Sequence, residues 1–376
     1  WLVTLFLSSL SHIYCNHTSV FMKSDGKSLT NIKWKITIKR VVRQAANGEG
    51  AGALQKDGKR RNENFRRNKS LMDFFLTLTS VGVLLLYAVP GFILSRTKAV
   101  TTDSLPAFSK VLMYVCQPCL TLYTFDDIDF TSVLFRDMVM FFFAITVLQL
   151  FSIGIFYLIF RKRQTEVRYR VYTIASTFGN CAFFGVPILE SLFPGSNAVA
   201  FSNMYFASMS LLGWTVASAV IAHDKKYISV KKIVLNPAVL VMAVALPLFI
   251  FGVKLPEQLY TPVSIVGKMS TPLCMLVLGI RLGSMRIRSV FSGGFNYLIV
   301  LVKQMIFPLL ALGVAWLLPW DEYARQAMFV LACCPVASVI LNFSELLGEG
   351  QEDSAEMLLL GTILSILTMP VMLLLL

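Results

Sequence analysis

The feature that most constrains this chain is the recurrence of apolar runs of about 20 residues with few internal charges, the length an α-helix needs to cross a hydrocarbon core. Ten can be marked, at about 72–94, 104–125, 135–160, 171–193, 200–222, 233–252, 259–280, 293–318, 323–347 and 355–376. Their apolar residues form blocks rather than stripes, so a water-soluble reading would have to bury nearly every helix on all sides. Composition agrees: 56 % of the residues are hydrophobic and 15 % charged, against roughly half and a quarter in soluble domains. The expected class is an all-α membrane protein with ten transmembrane helices.

A formal net charge of +13 raises nucleic acid as a partner, and the placement of Lys and Arg argues against it. Basic residues concentrate in residues 1–70 and in alternate short loops. Those loops hold Arg96 and Lys98, then Arg161, Lys162, Arg163, Arg168 and Arg170, then Lys225, Lys226, Lys231 and Lys232, then Arg281, Arg286 and Arg288. The intervening loops carry Asp126, Asp127, Asp129, Glu257, Asp321 and Glu322. The positive-inside rule makes the basic loops cytoplasmic and puts both ends of the ten-span core outside, in a plasma or inner membrane. The loop G-E-G-Q-E-D-S-A-E at 348–356 should also lie inside, yet it is acidic.

Residues 1–70 are polar and basic and lack the apolar character of the rest. A headgroup-binding or nucleic-acid arm is one reading. The other is an upstream or disordered extension, with the working core at 71–376 beginning near Met72, and this is the expectation. W-L-V-T-L-F-L-S-S-L is too short to span and lacks the basic lead-in of a signal peptide.

The core reads as two similar halves, about 72–222 and about 233–376. Gln117-Pro118-Cys119-Leu120 in the second span pairs with Thr271-Pro272-Leu273-Cys274 in the seventh, and Pro187 in the fourth with Pro335 in the ninth. Leu211-Leu212-Gly213 in the fifth pairs with Leu359-Leu360-Gly361 in the tenth at a closely similar separation. Because each half holds five spans, an odd number, the second must cross the membrane in the opposite sense. The result is a 5+5 inverted-topology repeat, in which interrupted helices near the midplane form the ligand site.

The fourth and ninth spans are the interrupted pair. One carries Gly179, Asn180, Gly185 and Pro187; the other carries Pro335, Ser338, Asn342 and Ser344. Proline removes a backbone donor and frees polar groups, which membrane interiors tolerate only inside protein or beside a watery cavity. An organic anion held there needs donors: a side-chain amide such as Asn180, amides at a helix N-terminus, and glycines that let the backbone approach. Among ionisable residues, Lys110, Lys268 and Glu190 lie near span ends and can reach the interface. Lys303 and Glu345 lie deeper and are candidates for proton coupling or charge pairing.

At these residues the sequence resembles the auxin efflux carrier family, which includes plant auxin carriers and bacterial malate and malonate permeases. The resemblance covers about 72–376 and rests on G-N-C-A-F-F-G-V-P-I-L, L-P-A-F-S-K-V-L-M-Y-V-C-Q-P-C-L, S-T-P-L-C-M-L-V-L-G and C-P-V-A-S. It implies crossed breaks at the prolines of the fourth and ninth spans, and a scaffold of spans one, two, six and seven against which the others move. It implies Asn180 as the asparagine facing a substrate carboxylate, with Pro187 and Pro335 in the crossover region; the ninth span departs from the family's commoner forms in Cys333-Cys334 and in Asn342, and Gly179, Ser338 and Asn342 are binding candidates on the residues' own chemistry. Gln117 and Thr271 are scaffold-side candidates, and a homodimer through the scaffold is a further expectation.

The functional expectation is a secondary transporter of small organic anions, mono- or dicarboxylates or auxin-like acids, working by an elevator-like alternating access, with protons as a possible coupling ion. A sodium-coupled carrier of the bile-acid type is the nearest alternative, and a transporter-fold sensor is the second. No GxxxxGK[ST] or GxSxG motif supports ATP-driven or hydrolytic chemistry, and neither a cofactor nor a metal is expected. Cys116-Gln-Pro-Cys119 has the spacing of a redox pair but lies inside an apolar run.

Overall fold

The computed structural model describes residues 74–224, 237–285, 290–291 and 293–376. The basic segment 1–70, Met72 and the loop residues Lys225, Lys226, Lys231, Lys232, Arg286 and Arg288 lie outside the described residues. Among the described residues the regular structure is helical, apart from one bridge between Gly179 and Val336.

The helices are α1 Phe74–Arg96, α2 Thr102–Asp126 and α3 Ser132–Ile159, then α4 Val167–Ala175, α5 Cys181–Leu192 and α6 Ala198–Ile221. They continue as α7 Pro237–Ile250, α8 Glu257–Ser284, α9 Gly294–Leu317, α10 Glu322–Cys333, α11 Ser338–Leu347 and α12 Gln351–Leu373. Seven of them (α1, α2, α3, α6, α8, α9 and α12) are long and apolar enough to cross a membrane. The other three apolar runs take a different form from the expected continuous spans. The fourth is divided between α4 and α5 and the ninth between α10 and α11, while α7 follows residues outside the described set.

Several prolines lie within helices rather than at breaks. Pro118, Pro187 and Pro308 each follow a wide, π-type turn, at Leu112–Cys116, Cys181–Gly185 and Val302–Ile306. A proline ring collides with the carbonyl four residues back, and a wide turn makes room for it without ending the helix. Two helix starts, those of α3 and α10, carry side-chain caps. Thr131 Oγ1 accepts from Leu134 N at 3.2 Å, and Asp321 Oδ2 accepts from Tyr323 N at 3.1 Å.

Two sets of contacts organise the bundle. Helices α1 and α8 approach so closely that a Cβ on Gly279 would lie 1.9 Å from Ala88 O, and one on Gly91 would lie 2.1 Å from Leu276 O. Small residues at such a crossing replace the hydrophobic drive that lipid removes. At one end of the molecule the acidic stretch after α11 meets basic residues on α4. Arg168 reaches Asp353 at 2.6 Å and Glu356 at 3.8 Å, and Arg170 reaches Glu349 at 2.9 Å. The acidity of 348–356 is therefore partly offset by Arg168 and Arg170, and the two segments occupy the same end of the bundle.

Replacing Gly279 by valine forces α1 and α8 apart. The protein should lose about 2–3 kcal/mol of stability, read as a lower melting temperature in detergent. Gly154→Ala, with nothing within 4 Å of its added Cβ, should leave that temperature unchanged or raise it.

Candidate functional site

The two broken spans meet backbone to backbone. Asn180 N donates to Pro335 O at 2.8 Å, and Ala337 N donates to Phe178 O at 3.0 Å, enclosing the Gly179–Val336 bridge. Each extended segment thus satisfies the other inside an apolar protein, as unpaired backbone at that depth requires. The segments are buried throughout: Phe178, Cys181 and Val336 are fully enclosed and Asn180 is 5 % exposed.

This crossing places the prolines differently from the sequence expectation. Pro335 lies in it and contributes only its carbonyl, the one backbone group a proline retains for pairing. Pro187 does not; it sits inside α5, in the turn after the π-type segment. The local two-fold of the bridge relates Gly179 to Val336 and Asn180 to Ala337, so the two prolines are not counterparts. Cys274 borders the same cavity as Asn180, whereas Thr271, half-buried one turn earlier, borders neither cavity described below.

Four helix ends converge on the crossing. The C-terminus of α10 is closed by Lys303 of α9, whose side chain is fully buried. Its ammonium donates to Ala332 O at 2.7 Å and Cys334 O at 3.1 Å. It also lies 5.1 Å from the centre of the Phe307 ring and 3.1 Å from where a Cβ on Gly179 would sit. A cation at a helix C-terminus meets the negative end of the dipole. Lys303 and Glu345, each named from sequence as a candidate for proton coupling or charge pairing, take different partners: Glu345 is bonded to Arg281 of α8.

The N-termini of α5 and α11 are the opposite ends. Their first amides have no acceptor within their own helix. They open toward two adjoining cavities of about 530 Å³ and about 400 Å³, which share Asn180, Phe183, Ser338 and Asn342. The larger adds Cys274, Arg281, Glu345 and Thr362. The smaller adds Gln117, Phe206 and Met209, with apolar walls from Met113, Val339 and Leu112, the last of which lines both cavities. Gln117 is 2 % exposed, and neither its Oε1 nor its Nε2 has a partner. Such a group in a membrane interior is costly unless something fills the space beside it. Cys274 Sγ lies 3.9 Å from Ser338 Oγ across the larger cavity. A donor set of side-chain amides, hydroxyls and two helix N-termini suits an anion.

Among the candidates, the structure brings together Asn180, Ser338, Asn342 and Gln117 around the cavities, with Gly179 and Pro335 in the crossing that supports them. It leaves out Pro187 and Thr271. Arg281, Cys274 and Thr362 were not singled out from sequence; the charge of Arg281 had been counted as a marker of the adjacent loop. Of the span-end charges, Lys268 lies over the Tyr123 ring at 5.6 Å, while Lys110 and Glu190 are exposed.

A family profile described as "membrane transport protein" matches residues 76–230 and 221–373. The chain belongs to this family. It is a family of the auxin efflux carrier type, as the quoted motifs implied, and its members are transporters rather than enzymes. The two matched segments of this membrane transport protein meet near the middle of the core, where the second of its similar halves was expected to begin. No curated protein matches the chain.

In this transport protein, Lys303→Met would orphan two carbonyls beside the crossing. Each such loss costs about 1–3 kcal/mol, so the melting temperature in detergent should fall well below that of Lys110→Met, made at an exposed position.

Proposed function

We propose that the chain is a secondary transporter of small carboxylate anions, working by alternating access, with the anion held at the crossing of the two broken spans. The observation that carries this reading is the convergence of Asn180 and the N-termini of α5 and α11 on two cavities, with Gln117 unpartnered on the facing helix. In this reading α4–α5 and α10–α11 each make one crossing and α7 another, so that with the seven continuous helices the core has ten spans in a 5+5 inverted repeat. Both ends of that core are then outside, and the basic loops and the 348–356 loop paired with Arg168 and Arg170 are cytoplasmic.

The moving part is the group of helices that carries the crossing, namely α3–α6 and α9–α12, and the scaffold is α1, α2, α7 and α8. Polar links between the two groups are local: Ser80 with Ser191 at 2.8 Å, Asn203 Nδ2 with Thr124 Oγ1 at 2.7 Å, and Arg281 with Glu345. Joining α1 to α5 covalently through cysteines at positions 80 and 191 should arrest uptake, and reduction should restore it. Undiminished uptake by the fully cross-linked protein counts against a moving crossing.

Sodium coupling of the bile-acid type is disfavoured by Lys303. The carbonyls at the α10 break, the groups that would ligate a cation there, already accept from its ammonium. Protons remain the coupling ion this reading favours. Uptake by reconstituted protein across a panel of carboxylates, under imposed proton and sodium gradients, tests the whole reading. Asn180→Ala should reduce uptake of the best substrate about tenfold to hundredfold, the worth of one hydrogen bond to a charge. Absence of saturable flux for every carboxylate, or flux indifferent to Asn180, would sink it.

A further inference from the structure

The larger cavity ends in an ion pair that the crossing does not need. Arg281, in the last turn of α8, bonds through Nη2 to Glu345, in the last part of α11. Both side chains are mostly enclosed, at 16 % and 17 % exposure. Both line the cavity that holds Asn180, Ser338 and Asn342. Arg281 Nε is buried and has no partner. A guanidinium offers five donors in a planar fork that suits a carboxylate bound through two of them, so this one has donor capacity left unused.

From this arrangement we infer that Arg281 is a specificity-determining residue that binds the second carboxylate of a dicarboxylate substrate, and that Glu345 occupies its place in the empty carrier. The inference rests on the carboxylate reading of the crossing given above. Glu345 is itself a carboxylate bound to Arg281 in the wall of the cavity, so that part of the wall already accepts the group in question. The charge balance points the same way. While the pair is intact this end is neutral, and a monocarboxylate needs only the amide and helix-end donors near Asn180. A dianion brings a second charge, and an uncompensated charge in a membrane cavity is costly. Exchanging Glu345 for the substrate's second carboxylate gives that charge a cation. Glu345 is then released near the end of α11, where Gly348 turns the chain with φ 76°. The exchange also ties occupancy to geometry, because the pair joins α8 of the proposed scaffold to α11 of the moving part, and a dicarboxylate breaks that tie as it binds.

The test is uptake of malonate and succinate against acetate and propionate, in vesicles containing the full chain as wild type, Arg281→Gln, Glu345→Gln, the double charge swap Arg281→Glu with Glu345→Arg, and Asn180→Ala. Arg281→Gln should lower dicarboxylate kcat/KM about thirtyfold, the loss of one charge-assisted contact, and lower monocarboxylate kcat/KM less than threefold. Monocarboxylate uptake in the same variant reports that it folds. Glu345→Gln removes the internal competitor and should lower the dicarboxylate KM. The charge swap rebuilds a bridge between the helices but moves the cation, so dicarboxylate uptake should stay low. Equal losses for both substrate classes in Arg281→Gln, or recovery of dicarboxylate uptake in the swap, would show a merely structural bridge and overturn the inference. If instead no carboxylate moves in any protein, or Asn180→Ala changes nothing, the carboxylate reading itself has failed.

Discussion

The rest of the site depends on two backbone hydrogen bonds, exchanged between Phe178–Asn180 and Pro335–Ala337. Breaking a helix inside a membrane strands amides and carbonyls where no water can reach them. Here the stranded groups are answered from within. The two segments pair with each other, Lys303 takes the carbonyls at the end of α10, Ser202 donates to Cys181 O at 2.9 Å, and Asn180 O accepts from two amides of α5. Only the N-terminal ends of α5 and α11 remain turned toward open space. The bonds that make the breaks tolerable also leave the positive ends of two dipoles facing a cavity.

The two halves of the crossing are alike in backbone and unlike in charge. Lys303 closes the second break, whereas the first break is tied to α3 through neutral groups, Thr177 Oγ1 to Ser152 Oγ at 2.8 Å, with the Thr146 hydroxyl further along α3 bonded to Phe142 O and Ser208 Oγ. A symmetric backbone therefore surrounds an asymmetric field, with a fixed ammonium on one side and hydroxyls on the other. The bias favours negative ligands before any side chain of the cavity is considered.

Much of the fold was legible because apolar runs and their interruptions are local features of the chain. Seven runs became continuous helices, and the runs holding Gly179–Asn180 and Pro335 are the two that divide. The register between the halves was less legible, since it was set by matching prolines. Proline marks any distorted helix, and a π-type turn absorbs Pro187 and Pro308 without a break; the residue type alone therefore does not separate Pro187, inside a helix, from Pro335, in the crossing. Arg281 was overlooked for a related reason: at a span end a positive charge reads as a topology signal, and nothing local says that it turns inward to Glu345. The acidic stretch at 348–356 looked anomalous because its partners, Arg168 and Arg170, lie far away in sequence.

Pro335 also bears on how the crossing is marked in the sequence. Four residues exchange or support the bonds of the crossing, and three of them use their own N–H: Phe178 toward Ile174 O, Asn180 toward Pro335 O and Ala337 toward Phe178 O. Only position 335 asks nothing of its nitrogen. A proline there is permitted rather than required, and the other three positions exclude one. In this chain the crossing is therefore marked more by the three positions that cannot hold proline than by the one that does.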